Sequence, residues 1–468
     1  MQVTFIKPTL GCLGDGERFI DEGRMEPLSL GVLAGLTPPG VDCRLFDDRI
    51  DQIDYDEPTD LVAINVETFT ARRAYEIATE YRARMVPVVM GGMHATLLPD
   101  EVAEYADAVY TGDGEALWAE VVSDAHEGRL RPRYDGTLGV PQPAVFPRRD
   151  LYAGKKYLPV SLLQFGRGCR FRCEFCAVSK YFDHCHYTRP VAEVVAEIAT
   201  LPRRDIFFVD DNFVSNPAAA KALLRALIPL KIRWVSQASV DHTRDAEMMR
   251  LFVESGCMGN VIGFESLNVD NLRQMGKSAN LAAYDGYAEA VATLREHHLQ
   301  TWSAFALGYD HDTVETILAT CEWGIANHFT FAAFNVLMPY PTTPFYERQK
   351  ADGRLLYDGR WWVHPDYRFN HAAFRPARMT PDELTEAAWA CRKRWSSWSS
   401  IAERVLDPRT NLATPFRFAL YCAYNPLFRR EAFKRQGMRL GTGSPTEKGL
   451  PSPTPWRGLL YPKKRGLP

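Results

Sequence analysis

No apolar run in this 468-residue sequence reaches the roughly 18 residues that a membrane-spanning helix needs, so no membrane span is expected. Met1-Gln-Val-Thr-Phe-Ile-Lys-Pro8 lacks the basic start, long apolar core and small-residue cleavage site of a signal peptide. A cytoplasmic protein is the expectation. Charge of one sign is also lacking. The net charge of −3 gives no broad pull toward nucleic acid, and no basic patch argues for RNA. No internal repeat and no low-complexity block precede the C-terminal end, which excludes a solenoid. The ten cysteines form no disulfide framework, and a reducing cytosol turns attention to metal or reactive roles where they cluster. Seven of them (Cys12, Cys43, Cys185, Cys257, Cys321, Cys391 and Cys422) are scattered and are expected as small buried hydrophobes.

What is present is alternation. Val3–Ile6, Cys43–Phe46, Leu61–Val66, Val86–Met90 and Ala108–Thr111 predict strands. Leu28–Leu36, Thr70–Met85, Pro99–Ala106 and Glu115–Ala125 predict helices between them. Such β/α units imply a Rossmann-like parallel sheet covered on both faces, over residues 1–130. Residues 131–158, with Pro132, Pro141, Pro143 and Pro147, predict a connector. A second series predicts strands at Val160–Phe165, Ile206–Val209, Ile232–Gln237, Val261–Phe264, Thr301–Leu307 and Phe331–Leu337. Helices are expected at Val191–Thr200, Pro217–Ile228, Ala246–Ser255, Leu281–His297 and Thr313–Asn327. The expected architecture over 159–350 is a partial or full parallel β/α barrel, whose chemistry belongs at the C-terminal strand ends. Residues 351–435 are expected to be mainly helical. Thr380 serves as N-cap, Pro381 sits at the first helical position and Glu383 closes a capping box, opening a helix to about Val405. Residues 436–468, rich in Gly, Pro and Lys, are expected to form a flexible tail.

The chemistry concentrates in Gly166-Arg-Gly-Cys169-Arg-Phe-Arg-Cys173-Glu-Phe-Cys176, just after the first barrel strand. Spacings of three and two residues let one loop wrap a compact metal centre. Thiolates suit iron–sulfur clusters or zinc. Structural zinc wants four ligands and usually a second paired motif, whereas three are offered here. Three thiolates on a four-iron cube leave one iron open. His184-Cys185-His186 downstream is a weak metal candidate, because consecutive residues do not readily face one ion.

This loop resembles the radical S-adenosylmethionine (SAM) signature, CxxxCxxC with an aromatic, Phe175, before the last cysteine. The resemblance implies that Cys169, Cys173 and Cys176 hold a [4Fe–4S] cluster whose open iron chelates the amino and carboxylate groups of SAM. Reductive cleavage then yields a 5′-deoxyadenosyl radical. By the same resemblance, SAM contacts are expected from Phe175, Asp210, Asp211, Ser236, Gln237, Glu265 and Leu307. Adjacent carboxylates at the strand end Asp210-Asp211 are costly unless they meet a cation or donors, with a helix-cap role as the bland alternative. Glu265 ends an apolar strand, where a carboxylate is rarely there for packing. Asn335-Val-Leu-Met-Pro-Tyr-Pro-Thr-Thr-Pro344 is similar to the family's closing segment, with Thr342 where glycine is usual.

The first domain is similar to the cobalamin-binding (B12) domain that precedes some radical SAM barrels. The resemblance lies in Glu26-Pro-Leu-Ser-Leu-Gly31, Val88-Val-Met-Gly-Gly-Met-His94-Ala-Thr96-Leu-Leu-Pro99 and Thr111-Gly-Asp-Gly-Glu115. It implies cofactor contacts at Leu28, Thr68, Gly91, Gly92, His94, Gly112 and Glu115. The Asp-x-His-x-x-Gly motif that ligates cobalt is missing, and strand-end glycines are also ordinary α/β architecture. Trp361, Trp362, Trp389, Trp395 and Trp398 either line a pocket or pack helices, and Arg392-Lys393-Arg394 is expected as a solvated face. The implied function is cobalamin-dependent C-methylation of an unactivated carbon in a small-molecule substrate, driven by a reductant such as flavodoxin or ferredoxin. The alternative is radical oxidoreductase, cyclase or rearrangement chemistry without methyl transfer.

Overall fold

Strand-forming, β-branched runs flanked by glycine and proline become two separate parallel sheets in the computed structural model, which describes residues 1–13, 24–283 and 287–442. The chain parts into two compact units. Unit 1 is Met1–Leu158, Arg360–Phe369 and Met438–Pro468; unit 2 is Pro159–Gly359 and Asn370–Gly437. The segment 131–158 therefore belongs to unit 1, and the helices of 370–437 belong to the unit that holds the barrel. Of the expected tail, only 436–442 lies within the described residues.

Unit 1 contains β1 (Gln2–Lys7), β2 (Asp42–Asp47), β3 (Leu61–Asn65), β4 (Val88–Gly91), β5 (Ala108–Thr111) and β6 (Arg133–Asp135). Their order is β2-β1-β3-β4-β5-β6, all parallel. The expected connector thus contributes an edge strand, β6. Three residues bounded by prolines carry too little periodicity to show it. Helix Leu28–Leu36 forms as expected, while the stretch after β4 splits into Met93–Leu97 and Pro99–Ala103 at Pro99. Proline has no N–H for the helical ladder and opens the second turn. Val3, Phe5, Leu30, Ala63, Val89 and Trp118 form the core, with Phe5 and Trp118 ring centroids 5.6 Å apart. Trp361 and Trp362 are buried here too: Trp361 lies 4.7 Å from Phe69, and Trp362 Nε1 donates to Glu101 at 2.9 Å.

Unit 2 contains β7 (Ser161–Leu163), β8 (Gly166–Gly168), β9 (His186–Thr188), β10 (Asp205–Phe208), β11 (Arg233–Ala238), β12 (Cys257–Glu265), β13 (Gln300–Leu307) and β14 (Phe331–Val336). Six of them form a parallel sheet in the order β14-β13-β12-β11-β10-β7, the open barrel expected from the sequence; β8 and β9 make a small antiparallel pair. Trp234, Phe264, Phe305 and Leu307 alternate onto the helix-facing side and pack with Phe252, Leu223 and Leu224. The expected capping box forms, with Thr380 accepting from Glu383 N at 3.2 Å. That helix ends at Trp395, and a second starts at Trp398 under a Ser397 cap. A further helix, Pro415–Arg435, falls in the stretch expected to be mainly helical, although its bounds were not read from the sequence. Pro426 inside it and its weak apolar periodicity mask it in the sequence. Arg392 is buried rather than solvated, donating to Phe334 O at 2.6 Å. Of the scattered cysteines, Cys257, Cys321 and Cys391 are buried, but Cys185 and Cys422 are exposed.

A Cβ on Gly259 would stand 1.9 Å from Gln300 O on the neighbouring strand. Gly259→Ala is therefore expected to destabilise the protein by about 2–3 kcal/mol, read as a lower urea midpoint. An unchanged midpoint would show that β12 and β13 do not approach this closely.

Candidate active site

The cysteine loop leaves the C-terminal end of β7 and is held at many of its peptide groups. Asp210, fully buried after β10, accepts from Phe165 N at 2.8 Å and Gly166 N at 2.7 Å. Asp211 accepts from Gly168 N at 2.8 Å. Arg170 N donates to Ser215 Oγ, and its guanidinium reaches Asp241 at 2.9 Å. Glu174 N donates to Met275 O at 3.0 Å, and the Glu174 carboxylate pairs with Arg348 at 2.7 Å. Cys169 is met by Asn212 Nδ2 at 3.6 Å from its sulfur. Cys173 and Cys176 border a cavity of about 290 Å³, with Arg172, Lys180, His184 and Thr342 also in its wall.

Electrostatics around the thiols are set by two opposed effects. Burial pushes the Cys173 thiol up to about 11 and raises Cys176 as well. The Lys277 ammonium acts against this at both sulfurs. Burial works against that ammonium, but Glu265 at 2.6 Å and the adjacent thiols outweigh it and raise Lys277. Glu265 itself sits at φ +63°, with its carboxylate folded over Gly263, where a Cβ would lie 2.2 Å from Oε1. Only glycine leaves that space. A three-thiol loop with a cation beside it, at the open end of a parallel barrel, fits a thiolate-ligated cluster. Among the described residues no three His, Cys, Asp or Glu side chains converge on a single-ion site.

The sequence-derived SAM contacts separate into two groups. Phe175 packs against the barrel core, edge-on to Tyr309 at 6.3 Å and 5.9 Å from Lys277 Nζ. Gln237 reaches the same strand ends, with Nε2 donating to Asp210 O at 3.2 Å, and Glu265 faces Lys277. Asp210 and Asp211 spend their carboxylates on the loop's N–H groups, so they position the cysteines. Ser236 and Leu307 are not brought to this end: Ser236 is fully buried and accepts from Asn260 Nδ2 at 2.9 Å, and Leu307 is in the helix-facing core. Strand alternation decides this, and a one-residue offset moves a side chain to the other face. Asn212 and Lys277 were missed. Asn212 follows the two carboxylates directly, a cue that was available; Lys277 has no spacing signal. Both ring nitrogens of His186 are buried without a protein partner, beside Gly166. Thr342 holds φ +65°, so the turn where glycine is usual is kept despite the β-branched side chain.

In unit 1 the strand order reverses between β1 and β3, and ligands of such open sheets bind at the C-terminal ends beside that reversal. Gly91 ends β4, Gly92 follows it, Thr68 follows β3, Gly112 and Glu115 follow β5, and Leu28 opens helix Leu28–Leu36. Gly92 (φ +103°) and Gly112 (φ +73°) are explained by the fold itself, since a Cβ would meet the Asn65 side chain and Val66 O at the first and Gly136 O at the second. His94 is fully buried, with Nε2 3.3 Å from Glu101 and Nδ1 3.4 Å from Thr68. It is a structural member of the network that joins Tyr75, Trp362 and Arg360 at Glu101. Burial opposes the Glu101 charge, but His94, Trp362 and Arg360 hold its carboxyl down at about 2.

The family model for the Radical SAM superfamily matches residues 163–324, the stretch that contains the three cysteines, Asp210–Asn212, Glu265 and Lys277. Residues 163–324 belong to the radical SAM superfamily. The chain is an enzyme, and this domain implies a [4Fe–4S] cluster and SAM. The chain is also 28% identical over 400 residues to the bacteriochlorophyllide d C-12(1)-methyltransferase of Chlorobaculum tepidum, covering 82% of this chain and 86% of that protein. An anaerobic magnesium-protoporphyrin IX monomethyl ester cyclase of Rubrivivax gelatinosus is 24% identical over 368 residues, covering 71% of this chain and 64% of that protein. Among solved structures, the radical SAM methyltransferase TsrM from Kitasatospora setae, with cobalamin and a [4Fe–4S] cluster bound, superposes with a TM-score of 0.60 at 19% identity. That match covers 93% of this chain and 99% of TsrM, a likeness of fold. No helix among the described residues is long and apolar enough to cross a membrane.

Cys173→Ala is expected to abolish iron loading and 5′-deoxyadenosine formation, checked by iron quantitation and chromatography, while circular dichroism stays that of a folded α/β protein. Asp210 offers a pH test. Burial raises its carboxyl from the ordinary 3.8 to about 8, although two N–H donors pull the other way. The stabilising contribution of the protonated group is complete below about pH 4 and is lost as the pH rises through 8. Asp210→Asn loses one accepted hydrogen bond, costing about 1 kcal/mol, but has no such slope. The wild-type advantage over the variant should therefore fall from pH 4 upward and reverse in sign before pH 8 in denaturant titrations; a constant gap would contradict the raised carboxyl.

Proposed function

We propose that this enzyme is a cobalamin-dependent radical SAM methyltransferase that adds a methyl group to an unactivated carbon of a small-molecule substrate. The observation that carries this reading is the pairing, in one chain, of the buttressed three-cysteine loop with an open parallel sheet whose order reverses between β1 and β3, where Thr68 follows β3. The methyltransferase relative and the fold of TsrM support it. In this reading Cys169, Cys173 and Cys176 ligate the cluster. Phe175, Gln237 and Glu265 line the place for SAM. When bound, the cluster supplies the electron that cleaves the SAM sulfonium, and cobalamin supplies a carrier for the methyl group.

The chain's own residues do the positioning. Asp210 and Asp211 fix the loop that carries the thiols. Asn212 presents an N–H to the Cys169 sulfur, and Lys277 places a positive charge beside Cys173 and Cys176. Thiols raised by burial must release their protons to ligate iron, and the ammonium favours that release. Leu28, Thr68, Gly91, Gly92, Gly112 and Glu115 form the edge offered to cobalamin. His94 is engaged by Glu101 and Thr68, so it would act there as a structural residue of that edge. A flavodoxin- or ferredoxin-type reductant and a cytoplasmic setting complete the reading. The cyclase relative favours a second one, radical oxidation or cyclisation without methyl transfer.

Anaerobic reconstitution with iron, sulfide and hydroxocobalamin, followed by product analysis with SAM, separates the two. Methyl transfer predicts stoichiometric cobalamin absorbance beside the iron–sulfur bands. It also predicts S-adenosylhomocysteine together with 5′-deoxyadenosine. Iron–sulfur absorbance alone, with 5′-deoxyadenosine as the sole nucleoside product, would overturn it in favour of the second reading.

A further inference from the structure

Three consecutive residues just beyond β10 meet the cysteine loop, and the third has a different task from the first two. Asp210 and Asp211 accept N–H groups of the loop backbone. Asn212 donates instead, with Nδ2 3.6 Å from the Cys169 sulfur. An asparagine amide offers two ends of nearly equal shape, an oxygen that accepts and a nitrogen that donates. Turned over, it would set a carbonyl against the sulfur. The sense is decided by Ser239, which directly follows β11. Its backbone N–H can only donate, and it lies 3.2 Å from Asn212 Oδ1. The amide nitrogen is thereby left to the sulfur. Ser239 Oγ serves the same amide, 3.2 Å from Nδ2 and 3.4 Å from Oδ1.

Both residues are held from elsewhere as well. Asn212 is 4% exposed, and its carbonyl accepts from Ser215 N at 3.0 Å. The next residue, Phe213, donates its N–H to Gln237 O at 2.9 Å. The Ser239 carbonyl is engaged by His242, from Nδ1 at 2.6 Å and from the backbone N at 3.3 Å. A buried dipole that is not free to turn acts strongly in the low dielectric of the interior. The three sulfurs are served differently. Lys277 places its charge beside Cys173 and Cys176, and Cys176 also receives a hydrogen bond from the Ser179 backbone. Asn212 brings no net charge to Cys169, only the positive end of a dipole.

We propose that Asn212, locked in this sense by the Ser239 N–H, raises the reduction potential of the iron–sulfur cluster through Cys169. Hydrogen bonds to cluster sulfurs are one of the means by which a protein sets that potential. One added electron makes the sulfurs more negative. A donated N–H is therefore stronger in the reduced state and favours it. The electron comes from the low-potential donor of the flavodoxin or ferredoxin type, and no bond is made or broken in the step. Asn212 tunes the cluster, and Ser239 positions Asn212. The inference rests on ligation of the cluster by the three cysteines. It does not depend on methyl transfer, because both functional readings need the reduced cluster.

The test is a redox titration of the reconstituted enzyme without SAM, followed by electron paramagnetic resonance, on wild type, Asn212→Leu and Ser239→Ala. Leucine keeps the size of the side chain and removes the donor. The cluster should become harder to reduce by about tenfold in the equilibrium, or about 59 mV for one electron. Ser239→Ala keeps the backbone N–H that sets the amide, so it should titrate as wild type does. Because the leucine variant can fail to take up iron, the contact is also read in wild type itself. With the heavy nitrogen isotope confined to asparagine side-chain amides, pulsed resonance of the reduced cluster should show a nitrogen coupling. Absence of that coupling would overturn the proposal. So would an iron-loaded Asn212→Leu with the wild-type potential, or a shift in Ser239→Ala as large as that of the leucine variant. Wild type that takes up no iron would remove the cluster assignment and this proposal together, whereas a normal cluster whose potential ignores Asn212 removes the proposal alone.

Discussion

The site depends on one requirement: a loop that bends three cysteines around a metal centre cannot satisfy its own backbone N–H groups. It has no ladder to join, because β7 ends at Leu163 and the β8–β9 pair covers only Gly166–Gly168. Asp210 and Asp211 meet the need from the next strand of the barrel. Burying two carboxylates is expensive, and the cost is visible in how far both carboxyls are raised. What is gained is rigidity where an error of an ångström would matter. The remaining contacts repeat the principle from other directions: Ser215 and Asp241 at Arg170, Met275 at Glu174, and Arg348 at the Glu174 carboxylate. The cysteine loop is fastened to the ends of several strands at once, so its geometry is a property of the whole barrel.

That dependence explains how much of the molecule could be read in advance. Parallel strands buried on both faces are continuous apolar runs that alternate with amphipathic stretches, so the barrel and the first sheet were legible. Cys169, Cys173 and Cys176 announced themselves by spacing within eight residues of chain. Residues that act across the fold did not. Lys277 is separated from Cys173 by four strands, β9 to β12, and nothing local marks it. Ser236 and Leu307 were placed at the mouth because they stand near strand ends, but alternation along β11 and β13 turns them toward the helices. His94 looked available because it follows two glycines. Its actual surroundings, Glu101, Tyr75 and Thr68, come from neighbouring helices that sequence proximity does not reveal.

Charge is distributed by the same logic at three scales. Beside the thiols, a single ammonium held by Glu265 offsets the penalty of burial. In the first sheet, Glu101 collects a histidine, an indole N–H and an arginine, and becomes the knot of a local network. In the C-terminal helices, Arg404 is buried with no carboxylate on it. Its guanidinium instead donates to the carbonyls of Phe329, Thr330 and Trp395 and stacks 3.7 Å from the Trp395 ring. Burial lowers it to about 10, still well above neutral pH. Satisfying a cation with carbonyl dipoles and an aromatic face ties the ends of several elements at one point.

Unit 1 is assembled from three separated stretches of chain, and this has a consequence for biosynthesis. Phe69 and Glu101 are translated early, yet their partners Trp361 and Trp362 follow only after 159–359 has been made. At about 5–20 residues per second, those roughly 200 residues occupy the ribosome for on the order of 10–40 s. Throughout that interval the first sheet is an unfinished object, with the sockets for two tryptophans open to water. The order of completion thus differs from the order of synthesis: the barrel strands can pair while the sheet that precedes them waits. A nascent chain stalled before residue 360 would present exposed apolar surface to chaperones and proteases, in a region that is well packed in the finished enzyme.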